Sequence, residues 1–292
     1  LIESLSNEKV KLLRSLLEAK GRRRSGLFLI EGVKLLEEAL AAGVEIELIL
    51  YNGDMLVRTP RGRTLLRTLH RRRLPAYEAV VRVIETLSDT ETPQGVVAAV
   101  RQMRWSKILE RPSVLGLIAD GLQDPGNLGT MMRSLLAAGG SALWMTPGTV
   151  DVYNPKVVRA AMGAHFRLPF FTETDLAGLS RRFEPESQVL VAEARGGRPY
   201  DEVDWCRPSY LIVGNEARGV SRTARSIATG TVSVPMWQDV ESLNVAVAAS
   251  VILFEASRQR RRAWNLPPTT EVKGEEGESR EGAGSAEKGG LG

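Results

Sequence analysis

The chain is poor in residues that staple or metallate a protein. In 292 residues it has one cysteine, Cys206, and two histidines, His70 and His165. One thiol excludes an internal disulfide, and one thiol with two imidazoles gives too few ligands for a zinc site of the usual type, so no metal is expected. Such cysteine usage fits the cytosol. Long apolar runs are also missing. The longest, residues 243–256, is too short to span a bilayer and is broken by Asn244, Ser250 and Glu255. No signal-peptide pattern is visible, so neither a membrane role nor secretion is expected. Aromatic residues make up only 5%.

What is present is the composition of a folded protein, 43% hydrophobic and 25% charged, long enough for two domains. The net charge of +4 is unevenly spread: residues 1–111 carry 20 Lys and Arg against 14 Asp and Glu, whereas residues 263–292 carry 3 against 6. The front third holds two arginine clusters, Arg22, Arg23 and Arg24, and a second from Arg58 to Arg71, Arg72 and Arg73. Such clusters suit phosphate; they equally describe solvated helix faces. Aromatics are scarce in this region, so stacking on splayed bases is not indicated there.

Helical periodicity over residues 5–20, 32–42 and 63–72, with β-rich runs at 46–51 and 96–100, predicts a small α/β unit over residues 1–101. Residues 102–112 read as a linker. Beyond it, apolar runs at 114–119, 142–145, 188–192, 210–213 and 231–234 alternate with helical segments at 128–138, 155–162 and 243–261. That alternation predicts a mostly parallel sheet over 113–262, covered on both faces. The tail, 263–292, with 7 Gly in its last 19 residues, is expected to be disordered.

Ligands of parallel sheets bind at the carboxyl ends of the strands, which directs attention to the loops there. The first runs from Asp120 into a helix bearing Asn127 and Arg133. The second, Gly214-Asn-Glu-Ala-Arg-Gly219-Val-Ser221, has the glycine spacing of a phosphate-binding loop but Val220 where the lysine belongs, which removes the main triphosphate contact. No dinucleotide fingerprint follows any strand. The third, Val234 to Asn244, leads into a helix apolar almost all round. Each loop alone also has a plain reading: Asn127 as a helix cap with Arg133 solvated, Gly219 as a turn, Ser242 and Asn244 as another cap.

Taken together and in order, Asn127-Leu-Gly-Thr-Met-Met-Arg133, Ile212-Val-Gly-Asn-Glu216-Ala-Arg-Gly219, and Val234-Pro-Met236 with Ser242-Leu-Asn244-Val-Ala-Val-Ala resemble the three motifs of the SpoU/TrmH group of SPOUT RNA methyltransferases. The front region resembles the ribosomal-protein-like substrate-binding domain of that family through Ser6-Asn7, Arg22 to Arg24, Phe28-Leu-Ile-Glu31-Gly32 and Thr92-Pro-Gln94-Gly95.

The resemblance implies a deep trefoil knot in the rear sheet, a rare exception to unknotted topology. It implies S-adenosylmethionine bound in the knot crevice by Gly214, Asn215, Gly219, Val234, Pro235, Met236 and Leu243, with Thr146, Pro147 and Gly148 on the same rim. Arg133 is the implied catalytic arginine, and Asn127, Glu216, Ser242 and Asn244 position it or the substrate. Arg22, Arg23, Arg24, Arg71, Arg72 and Arg73 are the candidate RNA contacts. The implied reaction is methylation of a ribose 2′-hydroxyl, on ribosomal RNA more than transfer RNA, by a homodimer joined through the rear domain.

A guanidinium holds its proton at neutral pH, so binding phosphate and stabilising a developing alkoxide rank first among roles for such an arginine. Phosphate-assisted proton removal ranks next and direct abstraction last. A non-catalytic RNA-binding or ribosome-assembly protein on the same fold is the main competitor. A knotted base methyltransferase and a nucleotide-dependent oxidoreductase or kinase rank below it.

Overall fold

The computed structural model of the chain describes residues 1–265 apart from 73, 91 and 239. Arg73 and the tail from 266 onward therefore lie outside the described residues. The front unit comprises α1 (Glu8–Ser15), α2 (Ala19–Ser25), β1 (Leu27–Glu31), α3 (Val33–Ala41), β2 (Ile46–Tyr51), α4 (Gly53–Leu56), α5 (Pro60–Arg71), β3 (Ala76–Glu78), α6 (Val81–Leu87) and β4 (Val96–Arg101). Its strands lie in the order β1-β4-β2-β3, with β4 antiparallel to both neighbours and β2 parallel to β3.

Where periodicity predicts one helix over 5–20, the structure has two. Asn7 caps α1 by accepting from the Lys9 N–H. At the other end, the Arg22 side chain takes the carbonyls of Leu16 and Leu17 at 2.8 and 2.9 Å, so that helix cannot continue. α5 keeps its periodicity: Thr59 caps it, Pro60 opens it, and Gly62, Leu65 and Leu69 form the buried face.

The rear unit comprises β5 (Leu115–Asp120), α7 (Pro125–Ala137), β6 (Ala142–Met145), α8 (Pro155–Ala161), a single 3-10 turn at Ala164–Phe166, β7 (Phe170–Phe171), α9 (Leu176–Ser180), β8 (Gln188–Ala192), β9 (Arg198–Pro199), β10 (Ser209–Gly214), α10 (Arg222–Ile227), β11 (Gly230–Ser233) and α11 (Val245–Ala263). Its sheet, ordered β7-β6-β5-β10-β8-β11-β9, is parallel at every pairing. The central strands β5, β6, β8 and β10 are buried and mainly apolar because both faces are covered, whereas the edge strand β9 is Arg198–Pro199 and β11 is only half-buried at its start.

Residues 102–114 join the two sheets without hanging free. The Gln102 amide donates to the carbonyls of Arg22 and Leu27, and the Met103 carbonyl accepts from the Tyr153 hydroxyl. The two units share a core: Phe28 on β1 packs against Tyr153 with ring centroids 4.8 Å apart and against His165 at 6.0 Å. α11 is not buried all round. Ala246, Ala249, Ile252, Leu253 and Ala256 face inward, whereas Val247 and Phe254 are 48% and 50% exposed.

Near the far end of α11 the buried Arg260 donates to the carbonyls of Trp205, Ser113, Val114 and Arg207 at 2.7 to 3.0 Å. Burial pushes this guanidinium down to about 10. Its four carbonyl partners satisfy donors that would otherwise be stranded beneath the sheet.

Candidate active site

The site begins at the end of β5. Asp124, not Asn127, caps α7, accepting the Asn127 N–H at 2.7 Å, and Pro125 follows as the first helical residue. Asn127 is thus the third residue of the helix and its side chain is released from capping. Its amide nitrogen donates to Glu216 Oε1 at 3.1 Å, while its Oδ1 accepts from the Asn244 amide at 2.9 Å. One side chain therefore ties together the loops after β5, β10 and β11, segments separated by 89 and 117 residues in the chain.

Glu216 also accepts the Asp124 N–H at 3.4 Å. Burial disfavours its charge, but the Asn127 amide and the main-chain N–H groups of Glu216, Asp124 and Gln123 outweigh that and hold its carboxyl below the usual range. Asn244 caps α11, its Oδ1 accepting from Ala246 and Val247 at 2.9 and 3.2 Å while its amide reaches Asn127. The cap and the site contact are the same residue.

The loop after β10 folds back on itself. Asn215 and Gly219 exchange main-chain hydrogen bonds at 2.9 and 2.8 Å, and Asn215 Oδ1 accepts from Ala217 and Arg218. A Cβ on Gly214 would come within 2.4 Å of the Gly219 carbonyl carbon, and Gly219 has φ +68. These glycines close their own loop, and the closed loop forms one wall of the cavity described below.

Beneath them the buried Asp120 accepts from the Ser221 N–H at 2.6 Å and the Thr146 hydroxyl at 2.9 Å; the Gly121 N–H in turn donates to that hydroxyl at 3.0 Å. Asp120 and Thr146 thus brace the floor of the site. Sequence reasoning passed over Asp120 as a functional residue, although its place at the carboxyl end of a parallel strand was a signal.

A cavity of about 640 Å³ opens at the carboxyl ends of β8, β10 and β11, within the size range of small-molecule sites. Of the proposed cofactor contacts, Gly214, Asn215, Gly219, Val234, Met236 and Leu243 line it, as do Glu216, Ser242 and Asn244. Thr146, Pro147, Gly148 and Pro235 do not: Thr146 is engaged below the site, and Pro147 and Gly148 are exposed away from the lining. The loop after β8, which sequence reasoning missed, supplies Glu193, Ala194 and Arg195, and Glu193 pairs with Arg225 of α10.

Arg133 lies on α7 six residues beyond Asn127, just under two turns, exposed, and does not line this cavity. Its guanidinium makes no hydrogen bond or ion pair with another described residue. Its neighbour Ser134 accepts from Ser250 of α11 at 2.8 Å, which sets Arg133 beside the helix that carries Val247 and Phe254.

Among the front arginines the structure separates two kinds. Arg22 is 3% exposed and its guanidinium is fully engaged, by Asp151 on one side and by the Leu16 and Leu17 carbonyls on the other, so it is removed from the RNA contacts. Arg23, Arg24, Arg71 and Arg72 are exposed.

A parallel sheet, a three-loop junction at its carboxyl edge and a cavity of small-molecule size there define an α/β protein with a candidate active site at the strand ends. The model of the SpoU rRNA Methylase family matches residues 115–254, and that of the MRM3-like substrate binding domain matches residues 7–98. The chain is 36% identical over 254 residues to the 23S rRNA (guanosine(2553)-2'-O)-methyltransferase RlmP of Bacillus subtilis, covering 87% of this chain and 97% of that one. It is 35% identical to an uncharacterized tRNA/rRNA methyltransferase of Synechocystis sp., covering 89% and 94%. The crystal structure of the SpoU methyltransferase AviRb from Streptomyces viridochromogenes, in complex with the cofactor AdoMet, superposes with a TM-score of 0.76 at 31% identity, covering 87% of this chain and 98% of that one. The chain belongs to the SpoU rRNA methylase family.

Proposed function

We propose that this protein transfers a methyl group from S-adenosylmethionine to a ribose 2′-hydroxyl of ribosomal RNA. The observation that carries the reading is the junction at Asn127, which closes three loops around the mouth of a cavity of small-molecule size. The donor set fits the cofactor. Gly214, Val234 and the apolar Met236, Leu243 and Ile252 line the cavity beside the carboxylates of Glu193 and Glu216, suited to an adenine ring and a cationic sulfonium chain rather than a triphosphate.

When bound there, S-adenosylmethionine supplies an electrophilic methyl carbon on a sulfonium. The chain's own residues present the nucleophile. Asn127 and Asn244 hold the loop geometry, Ser242 lines the mouth with a hydroxyl, and Glu216 keeps Asn127 oriented through its carboxylate. The guanidinium of Arg133 grips the phosphate of the target nucleotide and stabilises charge developing on the 2′-oxygen while the hydroxyl proton leaves through that phosphate; the electron pair of the broken carbon–sulfur bond stays on the departing sulfur.

The protein acts in the cytosol as a homodimer joined through the rear domain. Arg133 stands outside its own cavity, next to the exposed Val247 and Phe254 of α11, and a second copy packed on that apolar stripe brings the arginine to the partner's cavity. The deep trefoil knot belongs to the same reading, supported by the placing of β10 inside the sheet between the earlier strands β5 and β8. The exposed Arg23, Arg24, Arg71 and Arg72 contact RNA phosphates, which position the substrate without specifying it.

Ribose-methylation maps of RNA from cells with and without the gene test the reading. One large-subunit site should disappear with the gene. Unchanged maps together with no heat of S-adenosylmethionine binding in calorimetry would leave an RNA-binding scaffold.

A further inference from the structure

We infer that Trp237 is the platform on which the base of the target nucleotide stacks, an inference that rests on the methyl-transfer reading above. Trp237 is 91% exposed, the most exposed large hydrophobic among the described residues. The other four tryptophans are treated differently by the fold: Trp144 and Trp205 are buried, and Trp105 and Trp264 half-buried. An indole held in water contributes nothing to the core, so its role lies at the surface.

Its place points to the ligand. Met236, immediately before it, lines the cavity, as do Ser242, Leu243 and Asn244 further along the same loop. Gln238, immediately after it, has φ +63, a left-handed conformation that non-glycine residues seldom adopt, and Trp237 beside it is held out in solvent.

The chemistry of the substrate supplies the occupant. In a nucleotide the carbon bearing the base is bonded to the carbon bearing the 2′-hydroxyl. A ribose presented at the cavity mouth must therefore place its base beside the loop that frames that mouth. A base drawn out of its stack needs a new π-face, and an exposed indole is the strongest one a protein offers. The front unit is no rival, because its most exposed aromatic, Tyr77, already has Lys9 over its ring at 4.5 Å. Around it the exposed polar Gln238, Glu241 and Ser242 alternate with the exposed Val240 and Leu243, a mixed surface that suits the polar edge and apolar face of a base.

The test compares wild type, Trp237→Ala and Trp237→Phe in methyl transfer from tritium-labelled S-adenosylmethionine to an unmodified large-subunit rRNA transcript, with calorimetric titration of S-adenosylmethionine and sedimentation run on each. Trp237→Ala should lower kcat/KM for the RNA about tenfold or more, the scale of one lost base stack, chiefly through KM. S-adenosylmethionine affinity and sedimentation should match wild type, and Trp237→Phe should stay within about threefold of it, since a phenyl ring also stacks. Four results overturn the inference alone: an unchanged kcat/KM in Trp237→Ala, a parallel loss of cofactor affinity, a loss of self-association, or Trp237→Phe as impaired as Trp237→Ala. Absence of transfer by the wild type would overturn the methyl-transfer reading as well.

Discussion

The guanidinium of Arg22 donates twice to one carboxylate oxygen of Asp151, at 2.9 and 2.6 Å, across the seam between the front and rear units. Arg22 comes from an arginine run that reads as a phosphate site, yet it is the bolt between two domains, while Arg159 meets Asp89 at 2.8 Å elsewhere on the same seam. Arg22→Met should destabilise the protein by roughly 2–4 kcal/mol, because the Leu16 and Leu17 carbonyls and the Asp151 carboxylate lose their donors together. Arg23→Ala and Arg24→Ala should leave stability within about 0.5 kcal/mol of wild type while reducing the salt slope of RNA binding. Urea unfolding and binding isotherms at several salt concentrations separate the two behaviours.

The Asn127 junction makes a sharper demand. Asn127→Asp is nearly isosteric but sets a second carboxylate where the amide had donated to Glu216, so two negative charges face each other about 3 Å apart. Methyl transfer should fall by about 100-fold, the scale of a misplaced catalytic geometry, while S-adenosylmethionine binds within about twofold of wild type. Single-turnover rates alongside calorimetry check this. Full turnover in Asn127→Asp would show that the loops do not depend on that amide.

If Arg133 serves the neighbouring cavity, two inactive variants should rescue each other. Arg133→Ala mixed with Asn127→Ala gives heterodimers in which one composite site is intact, so random exchange should restore about a quarter of wild-type activity. Either variant alone should stay inactive, and Arg133→Lys should retain charge but lose the planar fork and most of the rate. Activity that never rises on mixing would place Arg133 at its own subunit's site.

His165 sets a pH response that has nothing to do with catalysis. It is buried among Phe28, Tyr153 and Phe170, its Nε2 lies 2.8 Å from the Val152 carbonyl, and burial pulls its imidazole down to about 4. The unfolded chain binds a proton near pH 6.5 that the folded chain refuses, so stability is fully present above that value and is lost as pH falls towards 4. The loss should amount to about 3 kcal/mol, read as a falling urea midpoint. His165→Leu should flatten the curve between pH 6.5 and 4 even if its overall stability is lower.

Much of the rear unit was legible in one dimension. Its central strands are mainly apolar and its helices carry caps and prolines, both consequences of local burial and local backbone chemistry. Asn127, Glu216, Ser242 and Asn244 stood out through the family resemblance, since each taken alone also reads as a turn or helix cap. Less legible was anything that depends on a partner far away in the chain. The split of the first helix is dictated by Arg22, and Arg22 is held by Asp151, 129 residues on. Glu193 and Arg195 reach the cavity only because β8 lies between β10 and β11.

Most of the elements, the three motifs and the chemical character of the loops could be read in one dimension, because periodicity, caps and residue type act over a few residues; the first helix, split in two, could not. The tertiary structure alone decided which arginines turn inward, which residue caps α7, which glycines serve their own loop, and that a single asparagine joins three distant segments. Those outcomes follow from strand order and packing, which bring together groups whose mutual attraction leaves no trace in the local pattern of either.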